Sequence, residues 1–265
     1  MTEAPLVHVR HEDRPGGRIA FVTLDDERRL NVMGRPLMAQ FVDTFAALAR
    51  EEALRAVVLT GAGLRAFVGG ADVGEMAQIR TPDAARAFIF EVHRCCAAVR
   101  DLPVPVIGRI NGWCLGAGME LAAACDLRVA AETAMFGMPE VKLGIPSVVE
   151  AALLPGLVGW GRTREMLLLG ETFTADDARR FGLVETVAPA GGLDGVVENW
   201  LEKLLSSKPQ AVRLQKALIR RWEDLPLKDA VAAGIEAFAA AFEGPEPVEA
   251  MAEFQAARAA RKAGR

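Results

Sequence analysis

The sequence predicts an α/β fold that gives way to an all-helical C-terminal part. Through the first half, short apolar runs with strand character alternate with segments of helical period. Two of those runs open into glycine-rich stretches, and beyond about residue 146 only helical periodicity remains. The 265 residues suit one large domain, or a domain with a helical appendage, and chains of this size bury roughly 70–75% of their unfolded surface.

The elements follow in order. Leu6–Arg10 and Arg18–Leu24 read as strands joined by a Pro15-Gly16-Gly17 turn, a hairpin. From Pro36 to Arg50, Leu37, Phe41, Phe45 and Leu48 recur at helical spacing, and Pro36 suits a first helical turn, where an absent N–H costs little. Ala56–Thr60 is a short strand that ends in Gly61-Ala62-Gly63. Thr81 is placed as an N-cap, with Pro82 just inside, for a helix that runs to about Asp101. Val104–Ile110 is a strand, Asn111-Gly112 turns the chain, Gly116–Cys125 is a helix and Leu127–Ala131 a buried strand. Thr174 and Asp177 are spaced to cap a helix that stops before Gly182. Helical period then covers Leu193–Leu205, Pro209–Trp222, Leu227–Phe242 and Pro247–Arg261, with Gly244-Pro245-Glu246-Pro247 separating the last two.

Composition narrows the function. Charged residues make up 25% of the chain, both signs are mixed, and the net charge is -4, so no basic stripe points to nucleic acid. Cys95, Cys96, Cys114 and Cys125 form no Cys-x-x-Cys pair, and free thiols in a reducing compartment are expected. Glu3, Glu12 and Asp13, without an apolar run, give the N-terminus no targeting character. A cytoplasmic protein with no membrane partner is expected. His8, His11 and His93 are the only histidines, and no Gly-x-Ser-x-Gly elbow or His/Cys cluster accompanies them, so neither a serine triad nor a metal is expected. Gly61-x-Gly63 and Gly116-x-Gly118 do not complete a dinucleotide fingerprint. Carboxylates and backbone donors remain.

The first glycine-rich stretch is Phe67-Val68-Gly69-Gly70-Ala71-Asp72-Val73-Gly74-Glu75-Met76. The second is Asn111-Gly112-Trp113-Cys114-Leu115-Gly116-Ala117-Gly118-Met119-Glu120. Consecutive glycines let backbone N–H groups approach a ligand, and the start of a helix leaves its first N–H groups unpaired and favours negative charge. Two such groups aimed at one point would form an oxyanion hole. Taken singly, each stretch also fits a tight turn with close helix packing.

Both stretches, in this order, resemble the oxyanion-hole motifs of the crotonase (enoyl-CoA hydratase/isomerase) family. Phe136-Gly137-Met138-Pro139-Glu140-Val141-Lys142-Leu143-Gly144 is similar to that family's Phe-x-x-Pro-Glu segment. The resemblance runs over effectively the whole chain. It implies a crotonase-type α/β fold, a ββα spiral core over residues 1–200 that carries an acyl-CoA site. Residues 201–265 would form a helical trimerisation region that closes the pocket. It further implies the N–H groups of Ala71 and Ala117 as oxyanion donors, with Glu120 as base and Glu140 as acid. Arg29, Leu30, Gly70, Asp72, Val73, Gly116 and Phe254 would contact substrate, Phe254 in a neighbouring subunit's pocket. The implied activity is addition of water to a 2-enoyl-CoA thioester by a homotrimer or dimer of trimers. Coenzyme A belongs to the substrate, and no separate cofactor or metal is expected.

Chemistry needs these residue types. Hydration places negative charge on the thioester oxygen, and losing one hydrogen-bond donor to such an oxygen typically costs roughly 100- to 1000-fold in rate. One carboxylate takes a proton from water while a second carboxyl protonates the α-carbon, and two carboxyls in one dry pocket push their proton affinities apart. Read alone, Glu120 is also a helix-start glutamate and Glu140 a loop carboxylate. Asp72 is expected to accept backbone bonds within its loop, and Asp126 to serve a turn.

The sequence departs from the family pattern at Gly144-Ile145-Pro146-Ser147-Val148-Val149-Glu150-Ala151, which is one residue shorter and lacks glycines after its proline. Glu150 is an extra carboxylate there, read as a helix-start residue. Val68-Gly69 replaces a pair of small residues, and Ala117 replaces a glycine while keeping its N–H. Two other readings remain open at this level. One is double-bond isomerisation, which can use a carboxyl at Glu140 alone, or another acyl-CoA reaction of the same scaffold such as hydrolysis. The other is a catalytically idle acyl-CoA-binding or assembly protein.

Overall fold

The computed structural model describes residues 6–189 and 191–263. The chain forms two compact units, the first ending at Glu202 and the second beginning at Lys203. The first opens with β1 (Val7–Arg14) and β2 (Gly17–Leu24), an antiparallel hairpin whose first strand continues beyond Arg10 to meet the glycine turn. A 3-10 turn at Glu27–Arg29 leads to α1 (Arg35–Leu48), which buries Leu37, Met38, Phe41, Phe45 and Leu48 on one face. Phe41 and Phe45 stack with ring centroids 4.3 Å apart, as the i, i+4 spacing allows.

The chain then repeats a pattern: β3 (Leu54–Gly61) is followed by β4 (Ala66–Val68), then α2 (Val73–Met76) and α3 (Pro82–Asp101). Next come β5 (Val106–Ile110), β6 (Trp113–Leu115) and α4 (Ala117–Ala124). The third pass is β7 (Leu127–Ala131), β8 (Met135–Gly137), 3-10 turns at Glu140–Leu143 and Val149–Leu153, and α5 (Leu154–Leu169). Each pass gives one strand to each of two sheets, which is the ββα spiral. β9 (Thr172–Thr174), α6 (Ala175–Phe181) and β10 (Thr186–Ala188) complete the sheets. The larger sheet has the order β1-β2-β3-β5-β7-β10 and the smaller β4-β6-β8-β9.

One expectation needs correction. The segment after residue 146 is not purely helical, because β9 pairs antiparallel with β8 and β10 parallel with β7. At three residues each, these strands are too short to show an alternating pattern. The whole second sheet escaped notice for the same reason.

Local sequence signals set the helix ends. The Thr81 hydroxyl accepts the Ala84 N–H at 3.2 Å, and Thr174 and Asp177 form a reciprocal capping box. Asp126 accepts the Val106 N–H at 2.7 Å, the turn role expected of it. Where the spiral changes sheets, buried Asn111 places Nδ2 at 3.0 Å from the Gly61 carbonyl and 2.8 Å from that of Gly63, joining successive corners. Gly118 is required by close approach: a Cβ there would lie 2.2 Å from the Val68 carbonyl oxygen, so α4 rests directly on β4.

Cys95, Cys96, Cys114 and Cys125 are buried and form no disulfide. Burial pushes the Cys95 thiol up to about 12 and that of Cys96 well above its ordinary range, so both stay protonated. The last helix of the first unit, α7 (Leu193–Ser206), continues into the second, which holds α8 (Pro209–Trp222), α9 (Leu227–Ala241) and α10 (Glu246–Ala263). Among the described residues, no helix is long and apolar enough to cross a membrane.

Candidate active site

The two glycine-rich stretches meet at one cavity of about 590 Å³. The first supplies Gly69, Gly70 and Ala71 to its wall, and the second Leu115, Gly116, Ala117 and Glu120. Ala71 bridges Met33 through its neighbours: Met33 N–H donates to Gly70 O at 2.8 Å, and Asp72 N–H to Met33 O at 3.1 Å. That pattern leaves the Ala71 N–H unengaged among the described backbone bonds. Ala117 is the first residue of α4, where an N–H has no intrahelical acceptor, and it too is unengaged. Gly116 precedes it with a φ of 50°, a left-handed setting that suits glycine.

Glu120 lies in the first turn of α4 and is 3% exposed. Burial, then the charges of Glu140 and Glu150, push its carboxyl up to about 8, although backbone N–H groups of Ala151 and Val148 oppose the shift. Glu140 begins the 3-10 turn after Pro139 and faces the same cavity. Its Oε2 accepts the Ser147 hydroxyl at 2.8 Å. A Cβ at Gly116 would stand 2.5 Å from Glu140 Oε1, so the glycine also makes room for this carboxyl. Burial thus favours the protonated form of Glu120 at neutral pH.

Most of the remaining wall is apolar. Met76, Ile79, Phe88 and Ile89 face Leu143, Ile145 and Val148, and the only other charged lining residue is Arg86, whose guanidinium pairs with Asp83 at 2.6 Å. A cavity with few, convergent polar groups is the usual form of a small-molecule site.

Of the residues singled out in the sequence, Gly70, Ala71, Val73, Gly116, Ala117, Glu120 and Glu140 line this cavity. Arg29, Leu30 and Asp72 do not line it; they brace the first loop. Asp72 caps α2, accepting the Gly74 N–H at 2.8 Å, and pairs with Arg29, while Leu30 O accepts the Gly69 N–H at 2.8 Å. Burial alone would raise the Asp72 carboxyl, but the Arg29 bond and the capped N–H groups hold it below its ordinary range. Phe254 stands 68% exposed on α10. Sequence reasoning missed Ser147; Glu150 does lie at a helix start, in the first turn of the Val149–Leu153 3-10 helix, but its burial against His93 was not foreseen. Both lie in the segment that departs from the family pattern, which was the available signal.

Comparison with known proteins agrees with this geometry. The sequence profile described as enoyl-CoA hydratase/isomerase matches residues 15–261. The short-chain-enoyl-CoA hydratase of Clostridium acetobutylicum is 34% identical over 239 residues, covering 90% of this chain and 91% of that protein. The crotonyl-CoA hydratase of Syntrophomonas wolfei is 32% identical, covering 89% of this chain and 91% of its own length. Among solved structures, an enoyl-CoA hydratase from Mycobacterium smegmatis superposes with a TM-score of 0.90 at 30% identity, covering 95% of this chain and 96% of that one. With its ββα spiral and a profile match over nearly its whole length, the chain belongs to the enoyl-CoA hydratase/isomerase family, the crotonases.

Proposed function

We propose that this protein is an enoyl-CoA hydratase that adds water across the double bond of a 2-enoyl-CoA thioester. Glu120 and Glu140 are its acid–base pair, and the Ala71 and Ala117 N–H groups hold the thioester oxygen. The observation that carries this reading is that both carboxyls and both unengaged N–H groups line a single, otherwise largely apolar cavity. Water bonds to the β-carbon and gives a proton to one carboxylate, while the double-bond electrons move onto the thioester oxygen. The enolate then takes a proton at its α-carbon from the other carboxyl, and the carbonyl re-forms. The pair must carry one proton in all. With Glu120 as base and Glu140 as acid, that proton sits on Glu140 when substrate is bound, so substrate must offset the burial that pushes the Glu120 carboxyl up to about 8. Coenzyme A arrives with the substrate, and the scheme needs no other cofactor.

Isomerisation would need only the carboxyl at Glu140, and a second carboxyl on the same wall favours hydration. Crotonyl-CoA is expected to lose its conjugated-thioester ultraviolet band on addition of catalytic amounts of the protein. An unchanged spectrum would point to the idle, binding-only reading. Enoyl thioesters of increasing chain length would then rank acyl preference by kcat/KM.

The protein is proposed to act in the reducing cytoplasm as a homotrimer or a dimer of trimers. In the second unit, Leu227, Val231, Ile235, Phe238 and Phe242 make an exposed apolar stripe, with Leu227 82% and Phe238 70% exposed. Contiguous apolar surface of this kind marks a contact face. Light scattering at micromolar concentration is expected to give a trimeric or hexameric mass, and a monomer mass would exclude the assembly.

A further inference from the structure

The proposed scheme leaves a buried carboxyl beside the site, that of Glu150, unused. Glu150 is 4% exposed, yet its surroundings satisfy only half of its carboxyl. Oε1 accepts the His93 Nδ1–H at 2.8 Å, and Oε2 is buried with no hydrogen-bond partner among the described residues. Burying a carboxylate that is only partly hydrogen-bonded, close to two others, costs stability, and an apolar residue would pack there without that cost. Packing therefore does not explain Glu150. Its position suggests what does. Glu150 is outside the cavity lining, but its 3-10 turn packs against α4 and presents the Val148 and Ala151 N–H groups to the Glu120 carboxyl. His93, on α3, is half-exposed and anchors the turn from the solvent side.

We propose that Glu150, held by His93, is a positioning residue that acts through Glu120. It fixes the turn that donates to Glu120 and sets, by its charge, how firmly the Glu120–Glu140 pair keeps its one proton. This rests on the acid–base roles proposed above. The groups that face this turn are few. Glu120 comes from α4, Glu140 from the preceding 3-10 turn, and His93 and Cys96 from α3, while the start of α5 from Leu154 to Gly161 contains no titratable residue. The Cys96 thiol stays neutral, so Glu150 and His93 are the pair that can alter the field at Glu120 from outside the cavity. Third after burial and Glu140, the Glu150 charge is among the causes that push Glu120 up to about 8.

The test is the pH dependence of kcat/KM, which reports ionisations of the free enzyme. In the native enzyme it is expected to fall above about pH 8, where Glu120 loses its proton. In Glu150→Gln one like charge is gone, so the alkaline limb should move to lower pH by roughly one unit, with KM changed less than about threefold because Glu150 does not line the cavity. His93→Leu provides a second variant at a half-exposed position. It strips Glu150 of its partner and loosens the turn that donates to Glu120, so the limb should leave its native position. In variants folded by circular dichroism, an alkaline limb that stays put in either one, or moves to higher pH in Glu150→Gln, overturns the proposal. So does a uniform loss of kcat/KM at every pH, which is what a purely structural role would give. Should the limb stay put while Glu120→Gln is inactive, this inference fails and the hydratase reading stands. An active Glu120→Gln removes the reading itself.

Discussion

Replacing either Glu120 or Glu140 by glutamine is expected to lower kcat for hydration by roughly 100- to 10,000-fold, the scale of lost acid–base catalysis. The fold should survive both changes, since amide and carboxyl are nearly isosteric. At Glu120 the argument is stronger still: burial already favours its neutral form at pH 7, so an amide removes no buried charge that the structure depends on. At position 140 the amide oxygen can still accept the Ser147 hydroxyl that Glu140 Oε2 accepts at 2.8 Å. Each variant would be assayed on crotonyl-CoA, with circular dichroism as the check on folding. Near-native kcat in either one removes the paired mechanism. Loss confined to Glu140→Gln assigns the chain to isomerisation, which needs that carboxyl alone.

The proposed oxyanion donors call for a different substitution, because a main-chain N–H survives ordinary mutation. Proline removes it. Ala117 is the first residue of α4, a position where proline's fixed φ is tolerated and no intrahelical hydrogen bond is lost. Ala117→Pro is therefore expected to fold and to lose roughly two to four orders of magnitude in kcat, the effect of one missing donor with some misalignment. Ala117→Gly keeps the N–H and should stay within about tenfold of native activity, since only a methyl group is lost. If the proline variant has a native circular dichroism spectrum and native kcat, Ala117 is not a donor and the site works in another way.

What the sequence revealed depended on how local the determinant was. Thr81-Pro82 and Thr174 with Asp177 announce helix starts through contacts within three residues, and both helices begin there. The antiparallel hairpin and Leu127–Ala131 were also legible, because a turn or a continuous apolar run marks each of them. The smaller sheet was not, because strands such as Ala66–Val68 and Met135–Gly137 exist only through partners brought in by the spiral. The site divides along the same line. The glycine loops and the two glutamates could be named from motif spacing and resemblance. The burial of Glu150 against His93 could not, since 57 residues separate them and neither belongs to a motif.

The contact between Gly118 and the Val68 carbonyl has a consequence for redesign. With no side chain between α4 and β4, the offset between the two glycine loops is set by main-chain thickness. Repacking side chains cannot tune it, and a larger residue at position 118 would pry the loops apart. Ile79, Phe88, Leu143 and Ile145 give the cavity wall apolar side chains. If the proposed site holds, acyl preference is expected to be redrawn at those four positions while the backbone frame of the two loops keeps its dimensions.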